Sequence, residues 1–216
     1  HLPVRLKKGD NEILIQHAGR SPLRIAIVPL KTSAQVDTAD PTLPDVVIGE
    51  NETWKAGLIV RNATEDTLRG LTMSADCGGV VTETRLPPIP PMSFRKVPVD
   101  FKAPTDAREG NLDVALKLRG ETELDAAKVT VRVVRPNQTH KRTFLSAIDG
   151  SVQYYGVNPP AAPIPGARPA LFLTLHGASV EGIGQAQAYG SKNWGYLIAP
   201  TNRRPYGFDW EDWGRM

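Results

Sequence analysis

The residues most able to take part in chemistry follow an apolar run that predicts a strand. Residues 170–175 (ALFLTL) lead directly into His176, Gly177, Ala178 and Ser179. We predict that Gly177 permits a sharp turn, after which the backbone amides of Ala178 and Ser179 could point at a carbonyl oxygen that gains negative charge. One such amide typically stabilises an oxyanion by about 3 kcal/mol. A tight strand-to-helix turn that binds nothing is the alternative, and the residues His176 to Ala178 alone favour it.

The end of the sequence is rich in aromatic rings and charges. Arg203, Tyr206, Trp210 and Trp213 lie there, together with three acidic residues. At the carboxyl end of a strand, Arg203 and Tyr206 could contact a substrate together with Ser179. The alternative is that the rings pack against further polypeptide, and we favour packing for the two tryptophans.

A hairpin is predicted before the apolar run. Residues 143–148 and 151–157 flank Asp149 and Gly150, a dipeptide that favours the positive φ angles of a two-residue type I′ turn. The Pro-rich stretch 158–166 then predicts a stiff connection at the surface.

Two strands joined by a helix are predicted after this connection. The run 170–175 is apolar without alternation, which is typical of a strand covered on both faces by helices. Residues 180–193 can form a short helix, and residues 194–200 predict a further strand. The order of hairpin, strand, helix and strand indicates the start of an α/β sheet.

Residues 44–135 alternate between apolar and polar side chains, which is typical of strands with one buried face. We predict six or seven such strands, separated by turn-rich segments, in an immunoglobulin-like antiparallel β-sandwich. Two apolar sets are especially regular: Leu112, Val114, Leu116 and Leu118, and then Val129, Val131 and Val133.

Three short strands are predicted near the start, around Val4 and Leu6, around Ile13 and Ile15, and across residues 23–27. The run LKKGDNEILI resembles the closing strands of jelly-roll accessory modules in secreted hydrolases. The predicted division is therefore a jelly-roll-like module over 1–40, the sandwich over 41–137 and a third part over 138–216.

Composition excludes several classes of protein. Lys and Arg number 26 against 23 Asp and Glu, and because these charges are scattered we expect no nucleic-acid partner. The single cysteine closes no intrachain disulfide, and the four histidines lack metal-site spacing, so we expect no metal. No apolar stretch reaches the roughly 20 residues of a membrane span. Three Asn-x-Thr triplets, at Asn51, Asn62 and Asn137, match the glycosylation pattern.

The third part resembles the opening of an α/β-hydrolase domain of the prolyl-oligopeptidase-like serine peptidases and esterases. The matching segments are TFLSAIDGSVQYYGVNPP, PALFLTLHGAS and WGYLIAPTNRRPYGFDWEDWGR. The resemblance implies an antiparallel strand pair, then a strand ending in an HG turn that forms part of the oxyanion hole. By position, Ala178 is then the amide donor, Gly177 shapes the turn and His176 supports it. The implied substrate is a peptide or an ester, and no cofactor is required.

The sequence departs from this family because no GxSxG nucleophile elbow, acid or later histidine follows. We therefore expect a fragment of a serine hydrolase that is inactive alone and packs against a missing C-terminal remainder. The predicted fold class is mainly β, with the sandwich followed by the incomplete N-terminal part of an α/β-hydrolase sheet. The alternative function is a non-catalytic sandwich that binds a ligand or acts as a spacer in a cell-surface or secreted protein. Extracytoplasmic location is expected from the style of the modules.

Overall fold

The computed structural model describes residues 3–16, 22–30, 32–177 and 179–201. This part of the chain is mainly β, as the sequence predicts, with a single short helix, α1 (Gly182–Gln187). In chain order the strands are β1 (Ala34–Thr42), β2 (Val46–Val47), β3 (Trp54–Asn62), β4 (Thr72–Cys77), β5 (Val80–Arg85), β6 (Ser93–Phe101), β7 (Gly110–Arg119), β8 (Glu123–Val134), β9 (His140–Leu145), β10 (Val152–Asn158), β11 (Ala170–Leu173) and β12 (Gly195–Pro200).

The first eight strands form two sheets that share one apolar core. The smaller sheet has the order β1-β3-β6, and the larger has the order β2-β8-β7-β4-β5. Period-two alternation directs one side chain in two towards the core, and Leu58, Val97, Leu116 and Val131 are accordingly buried. The predicted alternation over 44–135 is thus confirmed, and the two sheets are sandwich-like.

Two details of this part differ from the prediction. Strand β1 pairs with β3, so the smaller sheet begins at Ala34, ahead of the predicted boundary at residue 41. Strand β2 pairs in parallel with β8 at Val46 and Val47, so the larger sheet is not wholly antiparallel.

The three strands predicted near the start do not form. The described residues of 3–16 and 22–30 adopt no strand, and their apolar side chains, such as Leu14 and Ile25, are exposed. The alternation alone was misleading, because a strand is stable only when its backbone pairs with a neighbour, and no described strand pairs with these residues.

The last four strands form a third sheet of order β11-β12-β10-β9. Strands β9 and β10 are an antiparallel hairpin, and β10 pairs antiparallel with β12. Strand β11 pairs in parallel with β12, and α1 connects them. The order of hairpin, strand, helix and strand therefore agrees with the sequence prediction.

The turn of the hairpin is longer than predicted. Val152 pairs with Leu145, which leaves a six-residue loop over 146–151. A type I′ turn needs positive φ at both central residues, but of the pair only Gly150 has it, at +67°. Asp149 instead accepts hydrogen bonds from the backbone N (3.1 Å) and Oγ (2.7 Å) of Ser151.

Strand β11 and helix α1 also differ from expectation. The side chains of β11 are exposed, with Leu171 at 73% and Leu173 at 70%, so this strand is not covered on both faces. Strand β11 lies at the edge of its sheet, whereas α1 packs mainly over β10 and β12. The helix ends at Gln187 rather than near residue 193, because Gly190 and the residues around it favour a turn.

Candidate functional site

The turn that follows β11 lies at the carboxyl end of two parallel strands. Beyond Leu173, the backbone N of Thr174 still donates to the carbonyl of Ile198 on β12 (2.9 Å). The chain then leaves the sheet at His176 and Gly177. Carboxyl ends of parallel strands are where α/β sheets usually place their sites, and this turn occupies such a position.

The unusual backbone geometry of the turn falls on Ser179 rather than on Gly177. Ser179 has φ of +70°, a left-handed value that is uncommon for a residue with a side chain, whereas Gly177 has no positive φ. The backbone N of Val180 donates to the carbonyl of Gly177 (3.2 Å), which closes the turn ahead of α1. The left-handed residue of this turn is therefore Ser179, not the glycine.

His176 and Ser179 flank this turn, and both are accessible in part. His176 is half-buried, and its Nδ1 lies 3.0 Å from the carbonyl oxygen of Gly177. Ser179 is exposed. The structure thus brings His176, Gly177 and Ser179 together, while Ala178, the predicted amide donor, lies outside the described residues.

Helix α1 is held close to the sheet by two glycines. A Cβ on Gly182 would lie 2.7 Å from the carbonyl oxygen of Ala199, and one on Gly156 would lie 2.7 Å from the carbonyl oxygen of Gly182. Neither position tolerates a side chain without a backbone shift. These contacts fix the start of α1, and therefore the exit of the turn, against β10 and β12.

Polar side chains that sequence reasoning missed surround the same edge of the sheet. The hydroxyl of Tyr154 on β10 donates to Oε2 of Glu181 (3.1 Å), and Oγ1 of Thr201 donates to the carbonyl of Tyr154 (2.9 Å). Burial, and then the negative charge of Glu181, raise the pKa of Tyr154. Nothing in the sequence pairs Tyr154 with a residue 27 positions later, because only the crossover of β10, β11 and α1 brings them together.

A second small network links the end of β11 to α1. Nε2 of Gln185 donates to Oγ1 of Thr174 (2.9 Å), and Oγ1 of Thr174 lies 3.3 Å from the hydroxyl of Tyr189. These hydrogen bonds hold the end of β11 against α1. The two other predicted substrate contacts, Arg203 and Tyr206, lie outside the described residues.

A cleft of about 280 Å³ lies elsewhere, between the sandwich and α1. Its charged residues are Asp45, Arg132 and Lys141, and Oδ2 of Asp45 already accepts from Nη2 of Arg132 (2.7 Å) and from the backbone N of Lys141 (2.7 Å). None of the residues predicted for the site lines this cleft. These hydrogen bonds of Asp45 connect the sandwich to the third sheet.

The described residues contain no cluster of three His, Cys, Asp or Glu side chains that could hold a metal ion. In the same ranges, no helix has the length and apolar character needed to cross a membrane.

Comparisons with known proteins assign no family. No family model matches the sequence, and no curated protein matches it significantly. Among solved structures the chain is similar to Spo0M, a sporulation control protein from Bacillus subtilis, with a TM-score of 0.29 and 11% identity. That match covers 60% of this chain and 68% of the other. A TM-score this low does not identify a shared fold.

Proposed function

We propose that the chain combines accessory β modules with the opening of a serine hydrolase domain of the prolyl-oligopeptidase-like class, which cleaves peptide or ester bonds. The accessory part includes an immunoglobulin-like sandwich, and the protein acts outside the cytoplasm. In this proposal the turn after β11 contributes part of the oxyanion hole, with the amide of Ala178 as donor, Gly177 shaping the turn and His176 supporting it. Ser179, Arg203 and Tyr206 contact the substrate.

One observation carries the proposal: in the β11-α1-β12 unit, His176 and Gly177 follow the carboxyl end of a parallel strand and precede a helix. The antiparallel hairpin β9-β10 precedes this unit, as the family resemblance implies. The exposed leucines of β11 support packing against a C-terminal remainder, since an uncovered apolar strand is unfavourable in water.

The proposal is tested with a fluorophosphonate probe, which labels activated serines. We expect the full-length product of the gene to be labelled and to hydrolyse p-nitrophenyl esters. The 216-residue chain should remain unlabelled and inactive, because it has no nucleophile elbow. Absence of labelling in the full-length product would contradict the hydrolase proposal, and labelling of the 216-residue chain would contradict its predicted inactivity.

A spacer role for the sandwich is a second candidate, because side chains join it firmly to the third sheet. Arg142 on β9 pairs with Glu50 and with Glu52 (3.3 Å), and its guanidinium lies 5.6 Å from the ring centroid of Trp54. Oγ1 of Thr143 donates to the carbonyl of Lys55 (2.6 Å). The ligand-binding alternative is less favoured, since Trp54, the tryptophan available as a glycan platform, is 4% exposed.

The spacer role predicts that Arg142 contributes measurably to stability. Arg142→Met leaves two glutamates without their partner, so we expect a loss of about 1–2 kcal/mol in the free energy of unfolding by urea. Arg119→Met is the matched control, because Arg119 lies 4.0 Å from Glu123 in an exposed pair and should cost less than about 0.5 kcal/mol. Equal effects of the two substitutions would contradict a firm junction.

A further inference from the structure

The junction between the sandwich and the third sheet includes backbone hydrogen bonds as well as ion pairs. The backbone N of Asp45 donates to the carbonyl of Lys141 on β9 (3.0 Å), and the backbone N of Lys141 donates to Oδ2 of Asp45 (2.7 Å). Arg142 follows and contacts Glu50, Glu52 and Trp54. Strand β9 therefore supplies the hydrogen bonds and ion pairs of this attachment, while β10 also packs against β3 and β1.

His140 begins this strand and is buried, with 4% of its surface exposed. Its Nδ1 lies 2.8 Å from the carbonyl oxygen of Gln138, while its Nε2 has no hydrogen-bond partner in the described part of the chain. A carbonyl oxygen only accepts, so Nδ1 carries the proton and Nε2 is a bare acceptor in the neutral ring. A second proton on Nε2 would find no acceptor.

Charged groups on both sides of the junction face this imidazole. Burial is the main influence and lowers the pKa of His140. The carbonyl of Gln138 raises this pKa, the positive charge of Arg142 lowers it, and the carboxylates of Asp45 and Glu50 raise it. Both carboxylates are already paired with arginines, Asp45 with Arg132 and Glu50 with Arg142, which reduces their attraction for an imidazolium.

We propose that His140 is an acid-sensitive latch: protonation of its Nε2 places a charge and an unpaired N–H inside the junction and releases β9 from the sandwich. The residue is suited to this role by its position, one place before the Lys141 backbone bonds and two before the Arg142 ion pairs. The latch does not require that the protein is a hydrolase.

The direction of the pH dependence follows from linkage. His140 is harder to protonate in the closed junction than in the open one, where its pKa is near the ordinary value of 6.5. The latch is therefore fully stable above about pH 6.5 and weakens as the pH falls towards the lowered pKa of the closed state. Within that window the opening equilibrium rises by up to about tenfold per pH unit.

Hydrogen exchange tests the latch on the intact 216-residue chain at pH 7.5 and pH 5.5, with rates corrected for intrinsic exchange. We expect the opening equilibrium of the Asp45 and Lys141 amides to rise by up to about tenfold at pH 5.5, while amides in β7 and β8 remain unchanged. The ordinary pKa values of carboxylic acids lie below this range, whereas that of histidine lies inside it. Opening of the junction that is independent of pH would overturn the proposal.

Two variants separate the effect of His140 from that of His176. His140→Phe keeps an aromatic ring without a titrating nitrogen and should abolish the pH dependence, whereas His176→Gln should preserve it. Full pH dependence in His140→Phe would overturn the proposal. A measurement on the unmodified chain covers the case in which His140→Phe does not fold: an NMR titration should show His140 with a pKa below 6.5, and a value at or above 6.5 would refute the latch.

Discussion

Asn62 is completely buried, and its side chain connects two loops of the sandwich. Its Nδ2 donates to the carbonyls of Asp66 (2.7 Å), Ile89 (3.1 Å) and Pro90 (2.9 Å). Its Oδ1 accepts from the backbone N (2.8 Å) and the Oγ1 (2.7 Å) of Thr64. One amide therefore satisfies polar groups from both loops at the end of β3, where no ladder reaches them.

Removal of this amide should be costly. Asn62→Ala leaves several buried polar groups without partners, so we expect a loss of about 2–4 kcal/mol in the free energy of unfolding, measured with urea. Asn111→Ala on the exposed side of β7 is the matched control and should change stability by less than about 0.5 kcal/mol. Similar values for the two variants would show that the network is not formed.

Cys77 is a second buried residue with a chemical consequence. Burial, and then the charge of Asp76, raise the pKa of its thiol to about 11. Since the thiolate is the reactive form, the native chain should not react with dithionitrobenzoate at pH 8, and reaction should appear only in guanidinium chloride. Rapid reaction of the native chain would place Cys77 at the surface. In the structure Cys77 is a free and buried thiol.

At the scale of elements, two glycines of α1 should respond in opposite ways. Gly182→Ala places a Cβ against the carbonyl oxygen of Ala199, and we expect it to destabilise by about 1–3 kcal/mol. Gly184→Ala meets only Val180 Cγ1 at 3.8 Å and should stabilise by about 0.5–1 kcal/mol, because alanine favours helix. Both are measured by urea-induced unfolding. The same sign for both substitutions would contradict the close approach of α1.

Strands in which apolar and polar residues alternate regularly could be predicted. Features that depend on contact with another element could not. Strands β7 and β8 could be predicted because period-two spacing directly reports one buried face. The segments around Ile13 and across 23–27 have the same spacing and form no strand, since spacing does not reveal whether a neighbour exists. The six-residue hairpin loop was missed because Ser151 bonds Asp149 locally and competes with the tighter turn.

The candidate site was predictable to the same degree. His176 and Gly177 could be placed from the sequence because they follow an apolar run directly. The contact between Tyr154 and Glu181 could not be predicted, since it depends on how α1 packs against β10. The left-handed Ser179 was missed because glycine is the usual residue for that geometry, and Gly177 was the nearer choice.

At the scale of the whole molecule, one face of the third sheet carries an exposed apolar row. Leu171, Leu173 and Leu175 alternate along the same side and are each at least 70% exposed. We expect this row to bind the dye anilinonaphthalene sulfonate, and Leu173→Lys to reduce the fluorescence at least twofold. Val81→Lys, at an exposed position on β5, is the control and should leave the fluorescence unchanged. Equal fluorescence in all three proteins would mean that the row is covered.

The burial of Asn62 also determines whether a glycan could be attached to it before or after folding. Asn51 and Asn137 lie on exposed loops, so a transferase that attaches glycans could reach both after folding is complete. The Asn62 amide is buried inside the sandwich, and both its nitrogen and its oxygen are hydrogen-bonded. A sugar found there would therefore record attachment to a nascent chain, before its β3 end had closed.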